Sequence, residues 1–330
     1  MTTDTKVSLR RLGQTNIQVT PIGLGVMQFA GGGKGMMGRM YRNLTTQEKN
    51  AIVGAALEGG INWFDTAEMY GFGHSEQGLS TALKAAQVED DEVVVATKWF
   101  PFLRTAGNLS KTINDRIRHM DGYPIDLYMV HHPWSFSSPE AEMEAMADLV
   151  EAEQIRSVGV SNFSADRMRR AHRALQRRGL SLAANQVHYS LIHRRIETNG
   201  ILETAKELGI TIIAYMPLGY GMLTGKYHKS PELVRKSSFF RRKMIRRNLE
   251  RSRPVVNALE EIASRYGVTP GQVALNWLVN FHGESVVAIP GATEAEHARQ
   301  SSGALHFTLT EEERSVLDEV TREFRQRISR

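Results

Sequence analysis

Eight short apolar runs alternating with amphipathic helical stretches predict a single closed (β/α)8 barrel spanning residues 1–330. Three observations carry that expectation. First, the runs at 22–26, 61–65, 93–98, 126–131, 155–161, 184–187, 210–215 and 286–289 start mostly about 30 residues apart, the length of a βα unit. Second, several are continuously apolar, such as VVVA at 93–96 and ITIIAY at 210–215, as parallel strands covered on both faces should be. Third, no linker rich in Pro, Gly or Ser divides the chain. An open doubly wound sheet would bring a Gly-rich fingerprint after an early strand, and none is present.

In chain order, 8–10 and 18–19 flank a turn at 13–16 and predict a hairpin covering the bottom of the barrel. The first strand leads into GGGKGMMGRM (31–40). This run lacks the spacing of a phosphate loop, because Gln28 and Gly35 stand where that motif needs Gly and Ser or Thr. It is expected to wall the substrate pocket. Thr45-x-x-Glu48 is a capping box ahead of Ile52, Ala55 and Ala56 at helical spacing. The stripe Ile201, Leu202, Ala205 and Leu208 stops at Gly209. Thr269-Pro270-x-Gln272 opens a helix with proline at its first position, and Thr310-x-x-Glu313 opens a C-terminal helix. Thr293-x-x-Glu296 reads as a further capping box after the eighth strand. The long interval between the seventh and eighth strands predicts a loop insertion over about 219–253.

Composition narrows the function. With no cysteine, disulfides, thiolate catalysis and Cys-ligated zinc are excluded, and no histidine cluster has metal-site spacing. No run approaches the roughly 18 apolar residues of a membrane helix, and the N-terminus lacks the apolar stretch of a secretory signal. The expected location is cytoplasmic. The net charge of +5 is concentrated: residues 235–253 carry nine Lys/Arg and one acid, and the remainder is slightly acidic at −3. A single basic patch, with aromatics only at Phe239 and Phe240, does not predict a nucleic-acid surface. It reads as a solvated loop and helix, or as a flap over bound phosphates.

Polar residues at the C-terminal ends of barrel strands face the ligand site. The second, third and fourth strands end in Asp65, Lys98 and His131, and Tyr70 follows Asp65 by one short loop. This grouping fits carbonyl reduction, in which oxygen gains negative charge and must be protonated. A phenol is a weak acid at neutrality. A nearby ammonium lowers its pKa, and a carboxylate keeps that ammonium charged. Tyr70 is therefore the expected proton donor, Lys98 its tuner, Asp65 the partner of Lys98, and His131 the group orienting the substrate oxygen. Met27, Phe29, Trp99, His132 and Trp134 are candidate pocket residues. Lys98 at a strand end also admits a second chemistry, Schiff-base formation as in aldolases.

The segments FDTAEMYG (64–71), Lys98, DLYMVHHP (126–133), VGVSNF (158–163), NQVHYSL (185–191), AYMPLGYGMLTGKY (214–227) and AIPGA (288–292) follow one another in the order of the aldo-keto reductase superfamily, which the chain resembles over nearly its whole length. The resemblance is to the branch with bacterial reductases, plant pyridoxal reductase and potassium-channel β-subunits. It implies a TIM barrel binding NADPH (NADH remains open) and reducing a small-molecule aldehyde or ketone with Asp65, Tyr70, Lys98 and His131. It further implies Ser161, Asn162 and Gln186 at the nicotinamide carboxamide and Tyr215 under the ring. Pro217, Leu218, Gly219, Gly221, Leu223 and Lys226 would lie along the pyrophosphate. Gly291, Thr293, His297, Gln300 and Ser301 would lie near the adenosine. Here the chain departs from the family: it has no Arg or Lys at 293–294 to meet a 2′-phosphate, and Glu294 has the wrong sign. A cofactor-bound regulatory subunit with little turnover is the non-enzymatic alternative. Neither substrate identity nor oligomeric state is legible.

Overall fold

The computed structural model describes residues 7–236 and 239–325. Its strands are β1 (Arg10–Arg11), β2 (Gln18–Val19), β3 (Leu24–Gly25), β4 (Trp63–Asp65), β5 (Val94–Trp99), β6 (Leu127–Val130), β7 (Ser157–Ser161), β8 (Leu182–His188), β9 (Thr211–Tyr215) and β10 (Val286–Ile289). From β3 to β10 the strands pair in parallel, each with its sequence neighbour. Parallel bridges Ile22↔Ala288 and Gly25↔Gly291 join the first strand to the last and close the barrel. Every run read as a strand is one, with ends differing by a few residues.

Strand alternation sorts the core into two layers. Trp63, Val94, Ala96, Leu127, Met129, Ala184, Ile213, Val287 and Ile289 fill the barrel interior. Residues of opposite parity, including Val95, Trp99, Tyr128, Val130, Val158 and Val160, pack outward beneath the helices. The β1–β2 hairpin plugs the bottom, placing Leu12, Ile17 and Val19 against the interior cluster. Gly13 is required there: its φ is +60°, and a Cβ would lie 2.4 Å from the Ala183 carbonyl oxygen. Arg10 fastens the hairpin to the carbonyls of Val279 and Val286.

The capping boxes at Thr45, Thr269 and Thr310 form, each with reciprocal side-chain and backbone bonds. The one expected at Thr293 does not. That helix begins at Ala295 with Glu294 as an extended N-cap and no side-chain cap bond, because Thr293 is instead bonded to His297. The interval after β9 is mostly helical rather than loop, with helices at Lys226–Lys229, Glu232–Lys236, Phe239–Asn248 and Arg253–Tyr266. Residues 237–238 of the basic segment lie outside the described residues. Ile245 is fully buried, so the Phe239–Asn248 helix packs one face onto the protein and leaves Lys243, Arg246 and Arg247 exposed. Among the described residues no helix is long and apolar enough to cross a membrane.

Candidate active site

β4, β5 and β6 end side by side, and their interior-facing positions continue as Asp65, Lys98 and His131. The Lys98 ammonium lies 2.6 Å from Asp65 Oδ1 and donates to the Thr66 carbonyl at 2.7 Å, entirely out of solvent. Gln186, from β8 across the barrel, donates to the other Asp65 oxygen at 2.8 Å. Burial works against both charges, raising the Asp65 carboxyl and lowering the Lys98 ammonium, while contact pulls each back.

Tyr70 sits above this pair. Its ring centroid is 5.1 Å from Lys98 Nζ, and it meets the His131 ring edge-on at 5.6 Å. Burial pushes the phenol well above its usual value, and the Asp65 carboxylate adds to the rise. The lowering expected from Lys98 does not appear, because desolvation outweighs it and the ammonium is already engaged by Asp65 and Thr66. Burial, then Lys98 and His132, hold His131 neutral. Its Nδ1 is buried with no protein partner.

His132 stacks parallel on His131 (4.7 Å) and on Trp134 (3.8 Å), giving three rings in a row, and is pushed to about 4 by burial and Lys98. Met27 packs with Met37 and Met69 against Ala30, Ala67 and Tyr70. Two expected pocket residues are absent from this surface. Trp99 follows Lys98 on the same strand, so alternation turns it outward, where it is fully buried and bonds Asn108. Phe29 is likewise fully buried in the outer core.

The next four residues form a mesh at the ends of β7, β8 and β9. Tyr215 donates to Asn162 Oδ1 (2.9 Å), the Asn162 amide reaches Ser161 Oγ (3.0 Å) and His132 Nδ1 (3.2 Å), and Ser161 donates to the Gln186 carbonyl (2.9 Å). Tyr215 is backed by His188 at 5.3 Å and 13°, which stacks in turn on His193. His188 was not among the sequence candidates. It stands two residues past Gln186 on β8, so the same parity that places Gln186 inward would have found it.

After β9 the chain turns through left-handed Met216, Gly219, Tyr220, Gly221 and Gly225. Pro217 and Gly219 are buried, Leu218 packs on the outer core, and Leu223 lies wholly within it, leaving only backbone at 223 to meet a ligand. Left-handed non-glycine residues at Asn162, Met216 and Tyr220 all fall on these ligand-side turns, where backbone strain tends to be retained for function. At the exit of β10, a Cβ on Gly291 would strike the Gln28 side chain, whose Oε1 is buried without a protein partner.

Thr293 contacts His297, and His297 Nε2 lies 3.0 Å from Glu294. Gln300 is bonded to Glu296, while Ser301 is buried and bonds the His297 carbonyl. The region has a cation that the local sequence lacks. Arg42, paired with Glu48 at 2.8 Å, donates to the Thr293 carbonyl at 3.4 Å, and burial, with the Lys226 charge nearby, holds His297 below its usual value. Arg42 precedes the Thr46–Glu58 helix, about 250 positions away in sequence, so no local pattern could have named it. Among the described residues no group of three or more His, Asp or Glu is placed to hold a metal ion.

These residues fit a nicotinamide dinucleotide. Tyr215 offers a flat ring with a rigid backing, amides and a hydroxyl surround it, and a glycine-rich turn and Lys226 follow. Comparison with known proteins shows the family. The chain is 32% identical over 319 residues to chloroplastic pyridoxal reductase of Arabidopsis thaliana, covering 93% of this chain and 84% of that protein. It is 31% identical over 295 residues to the aldo-keto reductase yakc [NADP(+)] of Schizosaccharomyces pombe, covering 84% of each. A crystal structure of a thermostable aldo-keto reductase with the inhibitor epalrestat superposes with a TM-score of 0.75 at 28% identity, over 95% of this chain and 99% of that one. A family model described as the Aldo/keto reductase family matches residues 21–322. The chain belongs to the aldo/keto reductase family, and it is an NAD(P)H-dependent oxidoreductase of the class that reduces carbonyl groups.

Proposed function

We propose that this protein reduces an aldehyde or ketone with NADPH, with Tyr70 as proton donor. The observation that carries the reading is the buried Asp65–Lys98 pair set beneath the Tyr70 ring and beside His131. When bound, the nicotinamide supplies hydride to the carbonyl carbon. Ser161, Asn162 and Gln186 would hold its carboxamide, and Tyr215, itself held by Asn162 and His188, would support one face of the ring.

Burial keeps the Tyr70 phenol protonated at any working pH, so the proton leaves only when a stronger base forms beside it. The developing alkoxide is such a base. As Tyr70 gives up its proton, the nearby Lys98 ammonium stabilises the phenolate across a low-dielectric site, and Asp65 with Thr66 holds that ammonium in place. Neutral His131 orients the substrate oxygen without competing for the proton. The Schiff-base alternative is not favoured, because Lys98 Nζ is fully buried and already bonded to two oxygens.

NADPH is preferred to NADH on two grounds. Arg42 and Lys226 bring positive charge to Thr293 and His297, and one relative's name specifies NADP(+). Fluorescence titration with NADPH and NADH, followed by NADPH oxidation with a carbonyl panel that includes pyridoxal, tests the proposal. Tyr70→Phe should lower kcat by at least about a hundredfold with the NADPH Kd kept within about twofold. Unimpaired turnover in that variant would remove Tyr70 from its role, and tighter NADH than NADPH binding would reverse the cofactor assignment.

A further inference from the structure

Behind β5, on the face turned away from the barrel interior, lies a second buried polar cluster that the reaction described above does not use. Glu76 and Arg116, from the His74–Ala85 and Leu109–Met120 helices, are 0% and 3% exposed, and Glu68, from the loop after β4, is 4% exposed. Thr97 points outward into the cluster because Lys98, its neighbour on the strand, points inward, and it donates to Glu76 Oε1 at 2.7 Å. Arg116 stands between the two carboxylates, with Nε 2.9 Å from Glu76 Oε2 and Nη1 3.2 Å from Glu68 Oε1. Both contacts are ionic rather than aligned hydrogen bonds, since neither nitrogen has a hydrogen-bond partner. Arg104 brings a second guanidinium to Glu68 at 2.7 Å, so two carboxylates meet two cations.

What the cluster holds identifies its role. Glu68 stands two residues before Tyr70 and Glu76 six after it, and both reach the strand that carries Lys98. Glu68 N–H donates to the Lys98 carbonyl at 3.1 Å, and its carboxylate accepts from Phe100 N–H at 2.8 Å. Glu76 accepts from Thr97 on the other side of Lys98. The segment bearing Tyr70 is thus fastened at both ends to the residues flanking Lys98, and Arg116 joins the two fastenings. Stability alone does not call for such a cluster, because apolar side chains of similar volume often replace buried ion pairs without loss. Directed contacts fix geometry, and a displacement of about 1 Å at a reacting group can cost about a hundredfold in rate. Burial lowers the Lys98 ammonium, and Glu76 joins Asp65 in opposing that shift.

We propose that Glu68, Arg116 and Glu76 form a clamp that sets Tyr70 against Lys98, which makes them positioning residues for the proton transfer. They act through Tyr70 and Lys98. The proposal rests on the carbonyl-reductase reading above.

The test is single-turnover oxidation of bound NADPH by the best aldehyde of the panel, in H2O and in D2O, with variants whose folding is checked by circular dichroism. Arg116→Lys keeps the charge but cannot span both carboxylates as a planar guanidinium does. It should slow the single turnover by about tenfold or more, with the NADPH Kd and the aldehyde KM kept within about twofold. The solvent isotope effect should rise, because transfer of the Tyr70 proton becomes the slower part of the step. Thr97→Val removes one hydroxyl and little volume, and should give the same signature at about threefold, while Thr97→Ser keeps the hydroxyl and should match the wild-type protein. Where Arg116→Lys does not fold, the Thr97 pair decides. A folded variant with the wild-type rate and isotope effect overturns the clamp and leaves the reductase reading standing. So does a rate loss with an unchanged isotope effect or a matching loss of NADPH affinity, which marks general disruption. Absence of turnover by the wild-type protein with every aldehyde overturns both readings.

Discussion

Asp65 and Lys98 are taken out of water together, and neither is tolerable alone. The Lys98→Met variant should lose about 3–5 kcal/mol in urea unfolding at neutral pH, since it leaves a buried carboxylate with Gln186 as its one remaining side-chain donor. Pairing it with Asp65→Asn should recover part of that loss, which a double-mutant cycle would measure. The histidines set the pH behaviour of the chemistry. Burial and the Lys98 charge push His132 down to about 4 and hold His131 well below the usual imidazole range, so both are neutral at neutral pH. The kcat/KM profile should therefore show no histidine step between pH 5 and 8, and a break near 6.5 would contradict that assignment. At this scale the four polar residues were legible in sequence because strand-end position and parity are local. The direction of the Tyr70 shift was not, because it depends on how deeply the phenol is buried.

At the scale of elements, the loop after β6 is held by Ser135, which donates to Glu142 Oε1 at 2.6 Å from the start of the Pro139–Glu151 helix. Glu142 is fully buried and its second oxygen has no partner, so burial pushes its pKa up to about 7. A carboxyl whose pKa is raised on folding binds its proton more tightly in the native state. Its stabilising contribution is complete below about pH 4.5 and is lost as pH rises through 7. Wild-type stability should fall by about 1–3 kcal/mol relative to Glu142→Gln between pH 5 and 8, read from Tm at each pH. Equal pH dependence in the two proteins would rule this out. Three of the four capping boxes read from sequence form, since they need only four consecutive residues. The Thr293 box fails because Thr293 is bonded instead to His297, one turn further on. Trp99 was misplaced although the rule that corrects it, alternation from Lys98, was available.

The whole molecule is locked at its C-terminal end by Arg194, beyond β8. This guanidinium is fully buried, bonded to Glu197, Asp318 and Thr321, and stacked over Trp277 at 4.7 Å. Burial alone would raise the Glu197 carboxyl, but His282, Arg194 and Tyr189 more than offset it and hold it at about 2. Its contribution is thus present above about pH 4.5 and lost only in strong acid. Arg194→Ala should destabilise the protein by about 3–5 kcal/mol and expose the segment around 318–325 to limited proteolysis, with Arg194→Lys rescuing little.

By itself the sequence determined the barrel, the order of its strands and the polar group at their ends. These follow from periodicity, alternation and capping, which act over a few residues. Only the tertiary structure decided which side chains face the ligand and which charges meet. It sent Phe29 and Trp99 into the core and brought Arg42 to Thr293 and Gln186 to Asp65. Closing a barrel brings residues more than a hundred positions apart into contact, and no local pattern records such a contact.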